Sequence, residues 1–483
     1  MAALAEDHVC PWRDQVEALQ LQVAAQEAEL EKLKRHVFGK RSEKVTPVSE
    51  ELRRKNPRTP EQTAEERRTK REKRKTLPTE TIHHAVPTAE RRCPKCGGDK
   101  FKPLGEGKTT TVYEYVPGRL VKQVHVQETL ACICGECILT AEGAPKAIEQ
   151  GQYGPGLIAH VVTAKCADSI PFYRKAKAFS REGVPVARTT IGDLFHACAR
   201  ATASLSARLL ELIVRDELVR ADETTMRVLE GAKKGQSRRA WLWTFRTEKL
   251  IAYRFSASRS GETPSEVLGE SRGYLQVDGY TGYNAVTTPA RRVRVGCWGH
   301  ARRKFFDAQS TAPEAREALD LVLELYQLED DAKAAGVLGT GAHLAMRNTM
   351  SAEVLERIKK WLADQKPKHL PKSPLGEAIT YAQNQWSYLT RFLESARIKL
   401  DNNGSEQALR VAALGRKNWL FVGNDEAGRN IAGLYALIAT CEANDVNPEA
   451  YLADVLTRLS THPQAELEEL LPHEWKPAPT NTS

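Results

Sequence analysis

LVRADET (218–224) opens the run of strands whose order decides the fold. It carries an acid, Asp222, just before the turn-like ETT. Further short strands follow at RAWLWTF (239–245), LIAYRF (250–255) and GYLQVDGY (273–280), the last preceded by a helical TPSEVLGE. RVRVGCW (292–298) adds a fifth strand, with the helix GHARRKFFDAQ behind it. The order β-β-β-α-β, then strand and helix, predicts a mixed five-stranded sheet with helices on its faces. Residues 311–395 show helical pattern alone, as in LDLVLELYQLEDDAKAAG and SAEVLERIKKWLADQ. The final helices run through 404–413 and 428–443.

Asp222 and Asp278 stand at or just beyond predicted strand ends. Acids there are costly to bury unless they are paired, protonated or bound to metal. Taken singly, each also reads as a turn-former or helix cap. Glu406, within LDNNGSEQALR (400–410), reads singly as an acid that the helix dipole favours in a first turn. The triplet says more. Three carboxylates converging on one site repel one another unless cations neutralise them, and hard oxygen ligands without a histidine cluster suit Mg2+ or Mn2+. Two such ions can activate a water or a 3′-hydroxyl and stabilise the leaving oxygen of an in-line phosphoryl displacement. That chemistry needs no side-chain nucleophile, and the chain offers no GxSxG elbow and no GxxxxGK[ST] loop.

At 483 residues, two to four folded units are expected, and 41% apolar residues suffice for real cores. Lys and Arg total 71 against 62 acids, a net charge of +9. So modest an excess points to a polyanionic partner only where the bases cluster. MAALAEDHVCPW places acids where a signal peptide needs bases and an apolar run, and no stretch reaches 18 apolar residues. The expectation is a cytoplasmic, multidomain protein with no membrane span.

Upstream of the strands, residues 11–48 carry a heptad seam: Val16, Leu19, Val23, Gln26, Leu30, Leu33 and Val37. This is a short coiled coil suited to dimerisation, or a single amphipathic helix on the protein's own core. Residues 49–80 lack apolar period; from Arg53 to Lys75 eleven bases face four glutamates. They form a basic linker, either simply solvated or in loose contact with phosphates. Residues 81–150 hold five of the ten cysteines. Cys93-x2-Cys96 and Cys134-x2-Cys137 are paired knuckles that can present four thiolates to one structural Zn2+, with Cys132 and His125 as spare candidates. Residues 151–210 divide into three helices with a turn at REGVPV. That is a helix-turn-helix outline or an ordinary three-helix connector, and Arg174, Lys175, Lys177, Arg181 and Arg188 cluster around the turn.

The chain resembles the transposases of the IS66 insertion-sequence family. The marks are KRHVFGKRSEK (34–44), CPKCGG (93–98), ADET (221–224), LQVDGYTGYN (275–284), GCWGHARRKFFDA (296–308), LDNNGSEQALR (400–410) and GRKNWLFVGNDEAG (415–428). The resemblance implies an RNase H-like core of the DDE class over 211–310 and 396–445. A helical insertion over 311–395 accounts for most of the 127 residues between the second aspartate and the glutamate, and a C-terminal helix and tail follow over 446–483. It implies Asp222, Asp278 and Glu406 as the catalytic acids, holding two Mg2+ or Mn2+ ions, and Cys93, Cys96, Cys134 and Cys137 as zinc ligands. It further implies cleavage at element ends and joining of their 3′-hydroxyls to target DNA in a synapse of two or more protomers. Small accessory proteins of the same element are implied partners, and a bacterial cytoplasm the setting.

Two positions depart from the family pattern: Gln407 stands where arginine is usual, and Val411-Ala412 where a proline commonly follows LR. Arg302, Arg303, Lys304, Arg410, Arg416 and Lys417 become candidate phosphate contacts, or ordinary surface charge. His300 and Trp298 are candidate accessory residues. Asp401 either supports the site or caps its segment. The rival functions are a zinc-containing DNA-binding regulator with an idle core, and an RNase H-like nuclease without strand joining.

Overall fold

The computed structural model describes residues 152–231 and 236–478, together with 120–131, 138–140 and isolated positions before Leu120. The heptad seam and basic linker fall almost wholly outside the described residues, and Cys93, Cys96, Cys132, Cys134 and Cys137 entirely so. A short antiparallel hairpin pairs β1 (Thr129–Ala131) with β2 (Ile138–Thr140). It brackets the segment that holds the second knuckle.

Four helices precede the sheet: α1 (Pro155–Cys166), α2 (Phe172–Arg181), α3 (Arg188–Ala201) and α4 (Ala203–Arg215). Pro155 opens α1, where its missing N–H costs nothing. The predicted inner residues of the third helix, Ile191, Leu194 and Phe195, are buried in α3.

The sheet consists of β3 (Leu218–Val228), β4 (Arg238–Arg246), β5 (Ile251–Ser256), β6 (Gly273–Gln276) and β7 (Arg292–Val295), in the spatial order β5-β4-β3-β6-β7. β3, β4 and β5 form an antiparallel meander, whereas β6 and β7 run parallel to β3. Antiparallel neighbours need only a turn, but the parallel return to β6 needs a crossover, supplied by α5 (Glu262–Leu268). This is an RNase H-like core. The turn expected at ETT is absent. β3 runs on to Val228, pairing Glu223 with Trp243 and Thr225 with Trp241, because an aromatic-rich partner strand rewards continuation. Asp222 therefore lies in mid-strand.

After β7 come α6 (Trp298–Ala308), α7 (Ala315–Ala334), α8 (Gly341–Met346), a π-turn at Arg347–Ser351, α9 (Ala352–Gln365), α10 (Pro374–Asn384) and α11 (Trp386–Leu389). This matches the helical expectation for 311–395. The chain then returns to the sheet with α12 (Asn403–Trp419) and ends with α13 (Asp425–Ala443) and α14 (Pro448–Arg458). Asn424 caps α13 by accepting the Ala427 N–H at 2.8 Å, and Asn447 caps α14 in the same way.

Two apolar cores result. In the first, α1, α3 and α4 pack with α12–α14 on the strands, around Leu209, Ile213, Trp243, Phe245, Tyr435 and Tyr451. Fully burying a single large side chain such as Trp243 is worth about 2–3 kcal/mol. The second core is that of the insertion, where Trp298, Phe305, Ile358, Ile379 and Phe392 close on Leu218 and Val295. No helix among the described residues is long and apolar enough to cross a membrane.

Candidate active site

The pairing of β3 with β6 places the two aspartates. Leu218 matches Tyr274, Val219 matches Leu275 and Arg220 matches Gln276, a constant offset of 56 residues. Asp222 and Asp278 each lie two residues beyond the paired Arg220 and Gln276, Asp222 still within β3 and Asp278 past the end of β6. Strand pairing stops at Gln276, and the chain beyond β6 turns as Asp278 Oδ1 accepts the Tyr280 N–H at 2.9 Å.

That turn is held from below by Arg294. Its guanidinium donates to the carbonyl oxygens of Asp278 (2.6 Å) and Tyr280 (2.8 Å) and to Asn284 Oδ1 (2.7 Å). Burial lowers the Arg294 pKa, and the nearby Asp278 charge works against that lowering. From the side, Tyr381 of the insertion packs so closely that a Cβ at Gly279 would fall 2.9 Å from its ring.

Glu406 arrives on the first turn of α12. Buried Asn402 anchors that end by donating to the Ala221 carbonyl, one residue from Asp222, at 2.8 Å, and Ser405 donates to Asn402 Oδ1. Arg246 Nη1 donates to the Gly404 carbonyl at 2.8 Å, and Tyr253 to that of Ala408 at 2.7 Å. The Glu406 carboxylate itself faces α6. Arg303 lies 3.3 Å from Oε2, and His300 Nε2 lies 3.8 Å from Oε1.

The electrostatics tie the three acids together. Asp222 is pushed up to about 7, first by burial, then by the Glu223 charge beside it, and further by Asp278 and Glu406. Its one local relief is the Glu223 N–H, which donates to Oδ1 at 2.9 Å. Among the described residues no base forms an ion pair with Asp222. Asp401 is also raised, chiefly by burial; Tyr326 Oη donates to it at 3.0 Å, as do the backbone and side chain of Asn403. Asp401 thus supports the start of α12 and links it to the insertion. The three carboxylates do not close into a compact cage. Among the described residues, the set of three ligand atoms within 4.8 Å of one another is His462, Glu466 and Glu469, largely exposed near the C-terminus.

The other candidates divide by burial. Trp298 is 1% exposed and donates to the Leu389 carbonyl at 2.9 Å, in edge contact with Trp386, so it belongs to the core of the insertion. Arg302 is 8% exposed and also turned inward. Arg416 donates to Thr224 Oγ1 and to Thr225, fastening the end of α12 to β3. Lys175 contacts His160 and lies over the Phe179 ring. Arg303, Arg410, Lys417, Arg174, Lys177 and Arg188 remain exposed, and Lys304 lies over the Tyr381 ring.

A model of the IS66 transposase family matches residues 150–430, spanning all five strands of the sheet, the insertion and Glu406. The chain belongs to the IS66 transposase family. The IS66 C-terminal element matches residues 436–473 of this transposase, and the zinc-finger binding domain of IS66 transposases matches 90–135. The latter match includes Cys93, Cys96, Cys132 and Cys134 and stops before Cys137. Relatives include the uncharacterized protein y4hP of Sinorhizobium fredii (strain NBRC 101917 / NGR234), 30% identical over 95% of this chain and 90% of its own. The uncharacterized protein y4jD of the same organism is 32% identical over 80% of this chain and 78% of its own. Membership carries transposase identity, a DDE motif, DNA binding and a place in a mobile genetic element.

Sequence reasoning missed Asn402, Arg294 and Glu223. The visible hint was a polar or charged residue inside or beside a segment that otherwise reads as buried strand, such as Arg294 within RVRV or Glu223 beside Asp222.

Proposed function

We propose that this transposase cuts DNA at the ends of its element and joins the freed 3′-hydroxyls to target DNA, with Asp222, Asp278 and Glu406 as its catalytic acids. The observation that supports the reading is the pairing of Arg220 with Gln276, each two residues before one of the aspartates, reinforced by the charges of Asp278 and Glu406 acting on Asp222. The donor set fits hard divalent cations: three carboxylates, one of them strained by burial and like charge with no base to relieve it. Asp222, Asp278 and Glu406 would hold two Mg2+ or Mn2+, which supply an activated water or 3′-hydroxyl and neutralise the leaving oxygen.

The chain's own groups do the rest. Arg294 and Asn402 hold Asp278 and the start of α12 in place. Arg303 is half exposed beside Glu406, so a DNA phosphate can take it over, freeing Glu406 to turn toward the aspartates. Arg410, Lys417 and the bases of α2 and α3 are the remaining exposed phosphate contacts, with α2–α3 reading DNA in helix-turn-helix fashion. Residues 93–137 hold one structural Zn2+ through Cys93, Cys96, Cys134 and Cys137, and residues 11–48 pair protomers in the synapse. Accessory proteins of the element join in the bacterial cytoplasm.

The test is purified full-length protein with labelled element-end duplex and target DNA in Mg2+ or Mn2+, repeated with the element's accessory proteins. Strand-transferred product is expected; hydrolysed ends alone would favour a simple nuclease, and binding without cleavage a regulator. One zinc per chain is expected by elemental analysis, and a metal-free protein would remove the zinc assignment.

A further inference from the structure

Glu223 follows Asp222 in β3, yet its surroundings are those of a joint. Its side chain is 1% exposed, and both oxygens are engaged. Oε1 accepts Arg259 Nε (2.8 Å) and Nη2 (2.6 Å), and Oε2 accepts the Tyr283 hydroxyl (2.7 Å). Three of the carboxylate's roughly four lone-pair sites are thus taken by this chain's own donors. The interest lies in where the two partners lead.

Tyr283 belongs to the 3₁₀ turn Thr281–Val286, which follows directly on Asp278. Arg259 sits 4.0 Å over the Tyr280 ring and 5.0 Å from that of Trp241, and the Tyr280 hydroxyl donates to the Arg259 carbonyl at 2.5 Å. Tyr280 in turn gives its backbone N–H to Asp278 Oδ1. Fully buried Trp243, on the neighbouring strand, is edge-on to Tyr283 at 5.6 Å, and Tyr283 is edge-on to Tyr280 at 6.1 Å.

The loop has little slack. A Cβ on Gly282 would lie 2.2 Å from the Tyr280 ring, and one on Gly261 would lie 2.6 Å from the Gly282 carbonyl oxygen. A continuous chain of contacts thus runs from the residue beside the first aspartate to the hydrogen bond that orients the second.

We propose that Glu223, with Arg259 and Tyr283, is a positioning residue that fixes the Asp278 turn against β3 and so sets the separation of the two aspartates. This rests on the reading of Asp222 and Asp278 as metal-binding acids. It assigns the third residue of ADET and the second tyrosine of DGYTGY to one device, although 60 residues separate them in sequence.

The experiment measures Mn2+ affinity of the full chain, alone and with element-end duplex, by electron paramagnetic resonance. Thermal unfolding is recorded for every variant. Tyr283→Phe removes one hydroxyl, keeps the packed ring and leaves every formal charge at the site unchanged. It is expected to weaken Mn2+ about tenfold, the scale seen when a group supporting a metal ligand is lost. Glu223→Ala is expected to weaken it further, with Glu223→Gln between the two because it retains a partner for the hydroxyl. If Glu223→Ala does not fold, Tyr283→Phe and Glu223→Gln decide. Wild-type affinity in both, with wild-type unfolding, overturns the strut while leaving the acidic site standing. Wild-type protein that binds no Mn2+, or binds it equally after Asp278→Asn, overturns the site and the strut together.

Discussion

The Asp278 turn and the start of α12 each hold an acid, by different means. At Asp278 the holding bonds reach the main chain: Arg294 grips two carbonyls, Tyr381 presses on Gly279, and the Tyr280 N–H fixes the carboxylate. At Glu406 the helix is tied down at Asn402 and Gly404, but the carboxylate's partners among the described residues are the partly exposed Arg303 and His300. Main-chain bonds in a buried setting fix one geometry, because releasing them leaves polar groups unsatisfied. Ion pairs between long, wet side chains exchange partners at little cost. Two acids are built in; the third is available.

The severest test of this contrast is Asp278→Asn. Cleavage and joining should fall about a thousandfold or more, the scale of losing a preorganised charged group, while binding to element ends stays near wild type. Retained cleavage would remove Asp278 from the catalytic set.

Arg294→Ala tests the rigid half next. It strips donors from two carbonyls and from Asn284, and should cost about 3 kcal/mol of stability by denaturant unfolding. A loss under about 1 kcal/mol would mean the turn holds itself.

Asp222→Asn should go the other way. Its folded pKa, about 7, lies above the unfolded value of 3.8, so the native state holds the extra proton between those limits. Stability therefore falls as pH rises from about 4 to 7, and above 7 the full penalty remains. The amide should gain about 2 kcal/mol at pH 8 without divalent ions, shrinking toward zero near pH 4. Equal stability of the two proteins at pH 8 would show that Asp222 is not strained.

Arg303→Ala should move stability least, by under about 1 kcal/mol, because the arginine side chain is 50% exposed. A loss matching that of Arg294→Ala would erase the distinction between built-in and available acids.

The order of strands along the chain and the helical character of 311–395 could be read from pattern, since alternation and periodicity are local, and motif named three acids as candidates. The supporting residues were not legible in the chain. Arg294 looks like one more base in RVRV until its guanidinium is seen beneath the Asp278 turn, and Trp298 and Arg302 look available until the insertion covers them. Burial depends on what packs on top, and sequence spacing does not report that.

The partnership of α1 with α14 shows the same limit. Almost three hundred residues apart, they share one core, and His160 meets Glu449 at its half-exposed edge. By itself, the sequence determined the family and the succession of strands along the chain, and it named the candidate acids. The tertiary structure decided that Asp222 sits in mid-strand, that Asp278 lies in the turn just past β6, and that Glu406 rests on Arg303. It also decided which bases face solvent. Register and burial arise from contacts between segments far apart in the chain, and their free energy comes into being only when those segments meet.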